Sequence, residues 1–155
     1  MKKILIFFPV LIAALLIAGC EKEGELATLK SSLTNPVLSV PASGADLVMT
    51  KPEADEEITF TWNAADYGVA LGILYTLQID KEGNGFASPV DVISVNDVTT
   101  IMSYGDFNSK LVALEALMEH VNACVLRIKA SVPKSNAEVI YSDSIRMNIT
   151  PYTAK

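Results

Sequence analysis

The stretch "YTLQIDKEGNGFASPVDVISV", Tyr75 to Val95, decides the fold class. Its first half alternates: Tyr75, Leu77 and Ile79 fall on one face, and Thr76, Gln78 and Asp80 on the other. A period of two marks a half-buried antiparallel strand. "GNG" (Gly83 to Gly85) then supplies a turn, and "PVDVISV" reads as a returning strand. The same letters also tempt a calcium reading. Asp80, Glu82, Asn84, Gly85 and Asp91 stand at positions 1, 3, 5, 6 and 12 of a twelve-residue loop. The flanks are strands rather than helices, position three is Glu, and position twelve is Asp. The hairpin is the better reading, and no metal site is expected.

Outward from this hairpin the pattern repeats. "ITFTW" places Ile58, Phe60 and Trp62 on one face. "CVLRIKASV" aligns Cys124, Leu126, Ile128, Ala130 and Val132 against Val125, Arg127, Lys129 and Ser131. "SIRMNIT" alternates Ile145, Met147 and Ile149 with polar neighbours, and "TTIMS" is a shorter strand. "PVLSVP", bracketed by prolines, suits a sheet edge, and "DLVMT" adds a second edge piece. One segment differs: "DFNSKLVALEALMEH", about 106–119, carries Phe107, Leu111, Leu114 and Leu117 or Met118 at helical spacing. Asp106 or Ser109 could cap it. Seven or so short strands and one amphipathic helix predict an all-β sandwich.

The N-terminus carries a different signal. Lys2 and Lys3 precede an apolar run from Ile4 to Ala18, and small residues lead to Cys20. The run is shorter than the roughly 20 residues a bilayer-spanning helix needs, and suits an export signal. "IAGC" resembles the lipobox of bacterial lipoproteins, in which the cysteine is lipidated and becomes the new N-terminus. The expected organisation is a signal peptide over 1–19, a lipidated tether over 20–35 and a domain over 36–152. Cys124 is then the other cysteine, so neither a disulfide framework nor a multi-cysteine zinc site is expected. It faces with the aliphatics and reads as an inert buried thiol.

Lys2 and Lys3 are two of the twelve basic residues; without them ten basic face eighteen acidic residues, a balance of −8. That argues against a nucleic-acid role, which needs a basic footprint. His120 is the one histidine, placed near the end of the expected helix, where it suits a surface or capping role. No nucleophile elbow, zinc signature or phosphate loop is present, so neither an enzyme nor a cofactor is expected. The acids of "KPEADEE" read as a solvated edge. Tyr67 and Tyr104 fall in expected loops and are the surface candidates for stacking on sugar rings, whereas Trp62 belongs to the core.

"ITFTWNAADYG", "YTLQIDKEGNGFASPV", "LRIKASV", "YSDSI" and "ITPY" occur in the order and spacing of the SusE N-terminal domain. Over about 35–152 the chain resembles these outer-membrane lipoproteins of glycan-using Gram-negative bacteria, and through them an immunoglobulin or fibronectin III module. The resemblance implies a cell-surface lipoprotein beside SusC-like and SusD-like uptake proteins. It also implies that the family's starch-binding sites lie on further domains, beyond "ITPY". The expected role is a non-catalytic spacer or scaffold in polysaccharide uptake. Direct carbohydrate binding and a glycan-independent envelope role are the alternatives. Glu21 and the acidic run "EKEGE" resemble a surface-export signal of this bacterial group.

Overall fold

A computed structural model describes residues 33–154. The expected signal peptide, Cys20 and most of the expected tether lie outside the described residues. Among the described residues nine strands and one α-helix follow in order, with a short 3-10 turn at Lys51–Glu53. They are β1 (Val37–Val40), β2 (Ala45–Val48), β3 (Glu57–Asn63), β4 (Leu74–Lys81), β5 (Val90–Val95) and β6 (Thr99–Ser103). Then come α1 (Tyr104–Ala113), β7 (Asn122–Ser131), β8 (Ile140–Tyr141) and β9 (Ile145–Thr150). One sheet runs β1-β3-β6 and the other β2-β9-β7-β4-β5, with β8 paired to β7. The two sheets face each other across one core: a β-sandwich of immunoglobulin and fibronectin III type.

Alternation explains the inner faces. Along β7, Cys124, Leu126, Ile128 and Ala130 are buried and the residues between them are half-buried. β9 buries Ile145, Met147 and Ile149 in the same way. Phe60 and Trp62 of β3 close the core from the smaller sheet. Phe60 meets Phe107 of α1 edge-on, with centroids 5.5 Å apart, and Trp62 meets Tyr75 at 5.8 Å. The indole N–H of Trp62 is buried without a hydrogen-bond partner. Burying a ring of roughly 200 Å² contributes about 5 kcal/mol and offsets that lost bond, which costs about 1–3 kcal/mol.

The edges follow the prolines. β1 is an edge of the smaller sheet and β2 an edge of the larger. The pairing of β2 with β9 is parallel, which no sequence period announces. The paired chain also starts earlier than 36. Thr34 exchanges backbone hydrogen bonds with Asp66, and Leu33 packs on the core.

Two expectations need correction. The helix spans Tyr104–Ala113, not about 106–119. Its cap is Ser103, whose hydroxyl accepts from the Asp106 N–H at 3.0 Å and donates to the Asp106 carboxylate at 2.9 Å. Asp106 therefore serves the cap as its reciprocal partner, one turn inside. The helix ends where Glu115 enters the left-handed region at φ 57, with Ala116 N–H bonded back to the Leu111 carbonyl. Leu117 consequently faces solvent. The second correction concerns β4. Both of its faces are buried from Tyr75 to Asp80, so it is a central strand and not a half-exposed one.

Core truncation should separate the two faces in urea unfolding. Ile128→Ala is expected to cost about 2–5 kcal/mol, and Ile101→Ala, on the exposed side of β6, no more than about 1 kcal/mol. Cys124 yields a pH test. Burial pushes its thiol from the ordinary 9.0 up to about 11; Asp80 adds to the shift and Lys81 opposes it. The folded state keeps this proton after the unfolded chain has lost it. The resulting stabilisation is complete below about pH 9 and is lost as pH rises from there through about 11. Cys124→Ala should therefore show a shallower loss of stability over that window than the wild type in pH-dependent unfolding.

Candidate functional site

The residues singled out from sequence do not assemble into one site. Tyr67 is buried, 1% exposed, and not a surface residue. Its hydroxyl donates toward the Ala130 carbonyl at 3.1 Å and the Glu138 carbonyl at 2.9 Å. The ring thus pins the segment after β3 to β7 and to the loop beyond it. Burial raises the phenol's pKa, with Tyr75 and Glu138 adding to the effect. A sugar platform needs an open ring face, and Tyr67 has none. Tyr104 is the first residue of α1 and half-buried against the core, so it too is a packing residue more than a platform. His120 is exposed, seven residues past the end of α1. Its carbonyl accepts from the Asn122 side chain at 2.7 Å.

The hairpin loop is organised by Asp80. This carboxylate is 1% exposed. It accepts from the Lys81 N–H at 2.8 Å and from the Asn84 amide at 2.9 and 3.0 Å. Gly83 and Gly85 take positive φ, as the turn requires. The pairing of Ile79 with Val90 makes the connection a β-hairpin. A polar cleft of about 640 Å³ lies between this loop and the end of α1, lined by Asp80, Asn84, Leu114 and Glu115 among others. Among the described residues no group of three or more His, Cys, Asp or Glu could hold a metal ion.

A different arrangement lies on the outer face of the larger sheet. Arg127 of β7 stands opposite Gln78 of β4. Its Nε donates to Gln78 Oε1 at 2.9 Å, and the Gln78 amide donates to Asp91 at 2.8 Å. The Arg127 guanidinium lies between two rings, 4.0 Å from the centroid of Phe86 and 4.0 Å from that of Tyr141. Phe86 comes from the hairpin loop and holds φ 57, a strained value for a non-glycine residue. Tyr141 comes from β8 and is 37% exposed. These residues lie far apart in sequence, and only the strand register brings them together. The visible signal was the placement of Arg127 on the polar side of β7.

Among the described residues no helix is long and apolar enough to cross a membrane. No curated protein matches the sequence. The fold is similar to the solution structure of the fibronectin type III domain of human fibronectin type III domain containing protein 3. Identity is 13% and the TM-score 0.41, over 83% of this chain and 93% of that one. It is also similar to the crystal structure of the chicken CNTN1 FN1–FN3 domains, at 13% identity and TM-score 0.40, over 78% of this chain and 35% of that one. The family model described as "SusE outer membrane protein" matches residues 22–129, well over half of the chain. The chain belongs to the SusE outer membrane protein family.

Proposed function

We propose that the protein is a lipid-anchored, non-catalytic accessory of polysaccharide uptake at the outer membrane, acting as spacer and scaffold. The family match over residues 22–129 carries this reading. The geometry supports it: the groups first considered for chemistry are used inside the fold. Tyr67 ties two segments together, Asp80 holds the hairpin loop, and Cys124 is a buried thiol.

The mechanism is positional. Cys20 carries the lipid, and two or more acyl chains give stable anchoring. Twelve residues separate Cys20 from Leu33, a reach of roughly 40 Å at full extension. The sandwich then presents its faces to neighbours of the SusC-like and SusD-like kind, with a polysaccharide as their cargo. The acidic run after Cys20 directs the domain to the cell surface. An edge strand such as β2 or β5 could join a partner by strand addition, since each pairs on one side alone among the described residues.

Palmitate labelling in the native host tests the anchor. Cys20→Ser should abolish labelling and leave an unprocessed precursor; continued processing would sink the lipoprotein reading. The accessory role has its own measurement, co-isolation from detergent-solubilised outer membranes. The wild-type chain should bring down SusC-like and SusD-like proteins. Isolation free of both would contradict the role.

A further inference from the structure

The Phe86–Arg127–Tyr141 stack has a chemistry that a spacer does not require. Two ring faces and the bond to Gln78 Oε1 fix both the plane and the rotation of the guanidinium. Nε is satisfied. Among the described residues the two terminal nitrogens have neither an ion pair nor a hydrogen-bond partner. Lys129 is on the same face of β7, opposite Tyr141. It too has no ion pair among the described residues, where the one pair is Arg146 with Glu82 at 2.6 Å. Three acids of the β4–β5 hairpin already hold partners: Asp91 holds Gln78, Asp80 holds Asn84, and Glu82 holds Arg146. The patch therefore offers unpaired donors on a domain that is otherwise acidic.

A rigid planar fork of donors matches the two oxygens of a carboxylate. Beside the fork lies the ring of Tyr141, which has the guanidinium over one face and leaves 37% of the residue exposed, an apolar surface for the C–H groups of a sugar. We propose that this stack binds the carboxylate of an acidic polysaccharide, a uronic acid residue whose sugar ring lies against the exposed part of Tyr141. The inference rests on the glycan-uptake reading, which favours a polysaccharide over an acidic peptide. The other acids of the domain do not preclude it, because exposed charges are screened beyond about 8–10 Å at physiological salt.

The test is affinity electrophoresis of the mature lipoprotein in detergent. Gels would contain polygalacturonate, its methyl ester, amylose or poly-glutamate. Polygalacturonate should retard the protein, and the methyl ester, which lacks the anionic oxygens, should not. Arg127→Lys keeps the charge but loses the fork, and should weaken binding about tenfold or more; losing the bond to Gln78 should lower Tm by only a few degrees. If that variant unfolds, Lys129→Gln should still weaken binding, and unchanged retardation would overturn the site. Absence of retardation by polygalacturonate would overturn it as well, leaving the accessory role to the co-isolation result. Polygalacturonate retardation that survives Arg127→Lys, or is matched by amylose, would overturn the carboxylate site while keeping glycan binding. Equal retardation by poly-glutamate would assign the patch to acidic peptides and overturn the sugar assignment.

Discussion

The outer face of β4 is polar and yet buried, and the arrangement of the larger sheet depends on how that conflict is met. Thr76, Gln78 and Asp80 are each about 5% exposed or less. A buried polar group without a partner costs about 1–3 kcal/mol, so each must be satisfied by something fixed. Thr76 shares a hydrogen bond with Ser94 at 2.8 Å, across the β4–β5 ladder. Gln78 is held between Asp91 and Arg127. Asp80 is held by Asn84 and its neighbouring N–H. Together these bonds recruit β5, β7 and the hairpin loop. The same row that satisfies β4 places Arg127 between Phe86 and Tyr141. Surface chemistry and strand burial are thus one arrangement.

Similar reciprocity holds the ends of the domain. Asn108 of α1 is 2% exposed. Its amide donates to the Tyr152 carbonyl at 3.0 Å, and its carbonyl oxygen accepts from the Tyr152 N–H at 3.0 Å. The helix is therefore clamped to the segment after β9. Asn122 does the same for the chain entering β7, accepting from Leu117 N–H at 2.8 Å and donating to the Leu117 carbonyl at 2.9 Å. Such side chains imitate backbone pairing where regular structure stops.

Legibility in the sequence followed periodicity. β3, β7 and β9 alternate, and their inner residues were readable one by one. The hairpin was readable because its glycines sit where positive φ is needed. The end of α1 was not, because a glutamate, Glu115, takes the left-handed position that usually announces itself as glycine. Tyr67 misled for a related reason. It belongs to a connection with no period, and its burial comes from long-range bonds to Ala130 and Glu138. β4 showed a clean alternation, but alternation reports polarity and not exposure; its polar face is covered by residues from other strands. The aromatic–arginine stack needed the register of β4, β7 and β8, which a single sequence does not contain. Family membership was legible in phrases, three of which fall wholly or partly within the matched span, whereas the chemistry of the surface was not.

The buried row of β4 and the Arg127 stack form one coupled unit. A double-mutant cycle on Gln78→Leu and Arg127→Leu, read by urea unfolding, measures that coupling. A coupling energy of about 0.5–3 kcal/mol is expected, because removing either partner strands the other. Additive losses, with coupling near zero, would contradict it.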